Sequence, residues 1–253
     1  MISLAATNEE LRLWRDEGLT LPVWWRDDDA TASSPALDRL LAIAAQFAAP
    51  LHLAVIPDAA KSDLADRLRE TADVFVLTHG WQHRNHAPPG QKKAEFGAHR
   101  PLSQISEEIG AARRRLAELF GDLSLPVFTP PWNRIATEVA GQLHGLGFQA
   151  LSTFLPRAEK FPAPGLLRVN THLDPIAWKA GGGLLAPALI DEHLAGHLRA
   201  RRTGAADNAE PYGLLTHHLV HDAELWDFVE QLIETYAASG VTRWTPPLGE
   251  LRP

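Results

Sequence analysis

The chain has 253 residues, 45% of them hydrophobic and 22% charged, which is long enough to bury one large core and too evenly mixed for a disordered chain. A formal charge of −7 argues against a nucleic-acid partner, because a phosphate backbone is met by clustered Lys and Arg, and the one basic run, Arg113 to Arg115, reads as a solvated helix face. With no cysteine, disulfides, iron–sulfur clusters, thiol nucleophiles and Cys-ligated zinc are excluded, so any metal falls to His, Asp or Glu.

In chain order, Met1 to Glu10 has no basic segment ahead of an apolar one, so no secretory leader is expected. No later segment approaches the roughly 20 apolar residues of a membrane span. The expected location is the cytoplasm, with no membrane partner. Strand-like runs follow at Leu21 to Trp25, Leu51 to Ile56, Val74 to Leu77, Leu125 to Phe128, Phe148 to Thr153, Leu166 to Val169 and Tyr212 to Thr216. Between them, Ala36 to Ala49 carries a helical stripe of Leu37, Leu40, Leu41, Ala44 and Ala48, with Ser34 as N-cap and Pro35 at the first helical position. The same period recurs at Ser103 to Phe120, Ile190 to Arg202 and Asp222 to Ala238, while Gly181 to Gly183 and Thr203 to Glu210 read as loops. Strands alternating with helices predict one α/β domain over residues 1–253, a parallel sheet most simply closed into a barrel.

In such a barrel the loops after the carboxyl ends of the strands form one face, where active sites are built. Arg26-Asp27-Asp28-Asp29 follows the first run, Thr78 to His86 the third, Thr129 to Arg134 the fourth, Asn170 to Asp174 the sixth and His217 to Asp222 the seventh. Seven of the twelve histidines lie in these segments, which converge only if the sheet is parallel and closed. Each cluster also has a bland reading. Three aspartates commonly mark a solvated turn, but here they continue Val23-Trp24-Trp25 with no Gly or Pro break, which puts at least one of them at the barrel mouth. His79 and His83 have a spacing that places two imidazoles on one side of a helical turn, a common way to present two nitrogens to a metal. His193 and His197 share that spacing and read as exposed positions on a helix, and His52, His99 and His144 as surface or hydrogen-bonded residues. Trp24, Trp25, Trp81 and Trp132 suit sugar stacking or packing equally.

One carboxylate and two imidazoles make a site suited to zinc and, by ligand type, also to iron, cobalt or manganese. Such a cation lowers the pKa of water from roughly 15.7 to about 7. A second carboxylate can then act as a base and a His on the opposite rim as an acid; Asp28, Asp29 and His217 supply those parts in number.

These segments resemble, in order, the motifs of the polysaccharide deacetylases of carbohydrate esterase family four. The matching segments are Asp28-Asp29-Ala30, His79-Gly80-Trp81-Gln82-His83, Phe128 to Trp132, Asn170 to Asp174 and Leu215-Thr216-His217, spread from about residue 21 to the end of the chain. The resemblance implies a distorted (β/α)7 barrel, a metal held by Asp29, His79 and His83, Asp28 as general base and His217 as general acid. It also implies that the backbone N–H of Trp132 stabilises the oxyanion. Two departures stand out. The Arg that normally orients the base is replaced by Thr129, leaving Arg26, Arg100 or Arg134 as substitutes, and only Asp174 is available to tune the catalytic His. The register stays open between Asp28-Asp29 and Asp27-Asp28; Ala30 at the family's Gly position favours the former.

Three functions fit: a metal-dependent hydrolase removing an acyl group, acetyl foremost, from a sugar or glycan; a relative acting on a small amide; or a noncatalytic sugar-binding protein. Retention of ligands, base and acid together favours an enzyme. The loop from His86 to Pro101 is expected to shape the cleft; oligomeric state is left open.

Overall fold

The computed structural model describes residues 2–251. All seven runs are strands: β1 (Leu21–Ala30), β2 (Leu51–Val55), β3 (Val74–His79), β4 (Ser124–Thr129), β5 (Ala150–Leu151), β6 (Leu167–Arg168) and β7 (Tyr212–Thr216). An eighth, β8 (Thr242–Trp244), pairs with the first residues of β1 and was too short to stand out in the sequence. Every ladder is parallel, in the order β6-β5-β4-β3-β2-β1-β7. The sheet is a distorted seven-stranded barrel in one α/β domain, because no full ladder joins β6 to β7. The gap is spanned by the segment after β6, where His172 N donates to Gly213 O at 2.7 Å and Leu215 N to Leu173 O at 2.8 Å. Gly213 is required at this seam: a Cβ there would lie 2.4 Å from Trp24 Nε1 and 2.8 Å from Asn170 O.

The helices are α1 (Ala5–Asp16), α2 (Pro35–Gln46), α3 (Ser62–Arg69), α4 (Leu102–Phe120), α5 (Thr137–Ala140), α6 (Pro187–Arg202) and α7 (Ala223–Ser239). Ser34 caps α2 as expected, its Oγ accepting from Leu37 N at 3.1 Å, and Asp222 caps α7 by accepting from Leu225 N at 2.9 Å. Helix α1, not anticipated from the sequence, has no capping side chain of its own. Asp191 of α6 takes that part, accepting from Ala6 N and Thr7 N at 2.9 Å each. Arg115 departs from the expected solvated face: its guanidinium donates to Pro57 O and Ala60 O and ties α4 to the loop before α3. Among the described residues, no helix is long and apolar enough to cross a membrane.

Strand alternation sets up the site. Leu21, Val23 and Trp25 pack outward against Leu37, Leu40, Phe228 and Ile233, each such burial worth about 1.5–3 kcal/mol, whereas Trp24 turns inward to Ala54, Leu77, Val127 and Leu167. Continued along β1, this alternation sends Arg26 and Asp28 into the barrel and Asp27 to the opposite side.

Candidate metal centre and its cleft

Beyond Asp28 the alternation breaks. The register of β1 against β2 shifts between Asp28 and Ala30, and Asp29 takes a φ of 74°. A bulge of this kind re-aims one side chain. It turns the Asp29 carboxylate toward β3, where Oδ1 lies 3.1 Å from His79 Nε2 and 3.3 Å from His83 Nε2. One ligand atom from each of the three lies within 4.8 Å of the others.

The orientation of His79 fits metal ligation. Its Nδ1–H donates to the Thr129 carbonyl at 3.0 Å, and since a carbonyl can only accept, the lone pair of the neutral ring falls on Nε2, the atom that in the charged ring donates to Asp29 Oδ1 at 3.1 Å. Burial works against the Asp29 anion, but the contact with His79 and the charges of His79, His83 and His217 outweigh it and hold this carboxyl well below the usual range. At His79, burial is likewise outweighed, by Asp28 and Asp29, and its pKa rises; at His83 burial prevails and lowers it.

The His79 and His83 spacing does not lie on a helical turn, as its sequence suggests. β3 ends at His79, and residues 80–83 form an irregular bend in which His83 adopts a φ of 55°. Glu95, 1% exposed, holds the bend. Its carboxylate accepts from Trp81 N at 3.1 Å, Gln82 N at 2.8 Å and Arg84 N at 3.4 Å. Gly80 is the residue this packing allows, because a Cβ there would lie 2.3 Å from Glu95 Oε2. The loop from His86 to Pro101 thus contributes mainly this carboxylate, and only Lys93 from it lines the cleft.

Asp27 and Asp28 separate as the alternation requires. Asp27 is fully buried against the end of β7, accepting from Thr216 Oγ1 at 2.6 Å and His218 N at 2.9 Å, with His218 Nδ1 on its other oxygen. Asp28 faces the cleft and meets Arg26 in a two-point ion pair, Nε to Oδ1 at 2.8 Å and Nη2 to Oδ2 at 3.1 Å. Arg26 also donates to Ser152 Oγ and Asn133 Oδ1 at 2.7 Å each. Arg100 pairs instead with Glu108, and Arg134 donates to Lys93 O. Of the three arginines considered, Arg26 is therefore the one on Asp28.

Asp28, Asp29, His79, His83, Trp132 and His217 all line one cleft of about 1240 Å³. Trp132 and Asn133 both have a φ of 55°, in a turn whose hydrogen bonds run from Asn133 N to Pro130 O and from Arg134 N to Pro131 O, leaving the Trp132 N–H out of them. The Trp132 ring lies against His83, centroids 4.5 Å apart. His217 Nδ1, in the same cleft, is buried with no hydrogen-bond partner among the described residues.

No protein-family model and no curated protein matches this sequence. Solved structures do. A family 4 carbohydrate esterase from Streptomyces lividans in complex with acetate aligns with a TM-score of 0.56 at 15% identity over 89% of this chain and 92% of its own. A putative polysaccharide deacetylase from Mycobacterium smegmatis aligns with a TM-score of 0.62 at 15% identity, over 92% and 89% of the two chains. A family 4 acetyl xylan esterase from Clostridium thermocellum, in complex with a cobalt ion, aligns at 0.52 and 11% identity, over 88% and 86%.

The fold is that of the family 4 carbohydrate esterases.

Within that fold the surroundings of His217 differ from what the motifs led one to expect. Asp174 makes no hydrogen bond to His217. Its oxygens accept from Trp178 Nε1 at 2.8 Å and Ile176 N at 3.0 Å, and burial raises its pKa against the opposing influence of His217. Trp178 stands edge-on to His217, centroids 4.9 Å apart. Trp24 and Trp25 are packing residues and not sugar platforms: both are buried, their indole N–H groups donating to Asn170 O and Thr216 Oγ1. His52 takes the hydrogen-bonded alternative, buried with Nδ1 on the Trp25 carbonyl at 3.0 Å, and His197 is half-buried on Tyr212, so the exposed reading of the His193 and His197 pair holds for His193 alone. Sequence reasoning missed Glu95, Asn133 and Trp178 because none of them sits in a spaced motif.

Proposed function

We propose that this protein is a metal-dependent hydrolase that removes an acyl group, acetyl in the simplest case, from the nitrogen of an amino sugar or glycan. The observation that carries the reading is the convergence of Asp29, His79 and His83 at a bulge and a bend, with Asp28 beside them and His217 in the same cleft. One carboxylate and two imidazoles suit zinc first, and iron, cobalt or manganese by donor type. A divalent cation held by these three residues supplies Lewis acidity and makes hydroxide available near neutral pH.

The remaining steps fall to the chain itself. Asp28, oriented by Arg26, takes the proton from the attacking water. The Trp132 N–H donates to the oxygen that gains charge as the carbonyl carbon becomes tetrahedral. His217 gives its proton to the departing nitrogen as the C–N bond breaks, so that water and amide yield carboxylate and amine. A cleft of about 1240 Å³ is larger than a small amide needs, which favours a sugar or glycan over the small-amide alternative. A noncatalytic sugar-binding role leaves unexplained why ligands, base and acid are all retained.

The test is release of acetate and formate from a panel of N-acetylated sugars and amides, with chelated enzyme as control. Asp28→Asn is expected to keep its metal and lose turnover, and His217→Ala to lose far more turnover than metal affinity. Normal turnover in Asp28→Asn would remove the base, and failure to take up any divalent metal would remove the mechanism.

A further inference from the structure

We propose that the amine-bearing half of the substrate is amphipathic, an N-acylated amino sugar carrying a hydrocarbon substituent, and that this substituent lies on an apolar wall formed by Leu155, Trp178 and Leu189. The inference rests on the hydrolase reading for its orientation, because the departing nitrogen must meet the proton donor and the amine half therefore lies on the His217 side.

Trp178, edge-on to His217, puts apolar surface on that side of the cleft. Among the described residues, nine large hydrophobic side chains are exposed, and three of them, Leu155 at 52%, Trp178 at 49% and Leu189 at 61%, line this one cleft. Beneath them Leu173, Ile176 and Ile190 are buried, so the wall is backed by core and not by water. Exposed apolar side chains scattered singly need no explanation, but a set gathered in a concave site does. Trp178 offers no polar recognition there, since its one donor, the indole N–H, is spent on Asp174 and only its ring faces remain for a ligand. The polar groups are placed elsewhere. Lys93 stands 5.9 Å from the Trp132 ring on the His83 side, with Arg134 bonded to it, whereas Lys179, next in the chain to Trp178, and Glu192 and His193, on the helix that carries Leu189, are exposed cleft residues. Such an arrangement suits a molecule with its polar acylated end at Asp29 and its hydrocarbon running past His217 toward α6.

The probes are methyl and octyl N-acetyl-β-glucosaminide, the latter below its micelle concentration, with binding measured by calorimetry and hydrolysis by acetate release. Each buried methylene strengthens binding several-fold, so the octyl compound is expected to bind at least about tenfold more tightly than the methyl compound. The double variant Leu155→Asn, Leu189→Gln should lose about that factor for octyl while leaving methyl binding unchanged; Asn suits the φ of 78° at position 155. Hydrolysis should follow in kcat/KM. Equal binding of the two probes overturns the apolar wall even if acetate is released, and leaves the hydrolase reading standing. Tighter octyl binding without product from either probe upholds the wall and overturns the hydrolase reading instead. A wild-type chain that dimerises, with a monomeric double variant and no octyl preference, overturns the proposal by making the wall a contact between two copies of this chain.

Discussion

Arg26 and Asp28, two residues apart on β1 and both turned into the barrel, close a two-point ion pair that is 0% and 3% exposed. The guanidinium that faces the proposed base comes from the same strand as the base itself, not from the end of β4 where Thr129 stands. Two further acceptors, Ser152 Oγ and Asn133 Oδ1, fix its plane. Removing one member of a buried pair strands the other, at a cost of about 3–5 kcal/mol. Arg26→Met should therefore lower unfolding free energy by that order in a urea titration and nearly abolish product release. A variant of unchanged stability and turnover would show that Asp28 needs no partner.

Metal occupancy should appear as stability. A ligand present at 100 times its Kd and bound only by the folded chain adds about 2.7 kcal/mol. Chelation should accordingly lower Tm, and zinc should restore it in the wild type but not in His79→Ala. Equal Tm with and without zinc in the wild type would place the cation elsewhere or nowhere.

Glu95 should set how well His83 reaches Asp29. Glu95→Ala leaves the N–H groups of Trp81, Gln82 and Arg84 without their shared acceptor. Residues that orient metal ligands typically contribute 10–100-fold to affinity. A loss of that size in zinc competition is expected for Ala. Glu95→Gln keeps one oxygen and should fall between Ala and the wild type. If both variants bind zinc as the wild type does, the bend is held by other contacts.

His52 should make stability depend on pH. It is buried between Trp24 and Phe75, its one hydrogen bond among the described residues goes to the Trp25 carbonyl, and burial pushes its pKa down to about 4. The folded pKa lies below the unfolded value of about 6.5, so between the two the unfolded chain binds one more proton than the folded one. Its contribution is present above about pH 6.5 and is lost as pH falls toward 4. In that window the slope is about 1.4 kcal/mol per pH unit for the single proton. His52→Gln should flatten urea-derived stability by about that slope between pH 6 and 4.5; an unchanged profile would mean the imidazole titrates normally in the fold.

The sequence by itself determined the parts of this protein that depend on short-range repetition. The helical stripe and Ser34 cap mark α2, and the strand ends carry the histidines and aspartates that the barrel gathers, whereas the register among Asp27, Asp28 and Asp29 stays open in the sequence. What only the tertiary structure decided are contacts between residues far apart in the chain or thrown off the regular period. The bulge at Asp29, the bend that replaces a helical turn at His83, the carboxylate of Glu95 beneath it, and Trp178 beside His217 all depend on where separate loops come to rest when the sheet closes. The physical reason is that side-chain period is a property of a few consecutive residues, whereas ladder register, ring closure and the left-handed φ values at residues 29, 83 and 132 are imposed by neighbouring strands and loops.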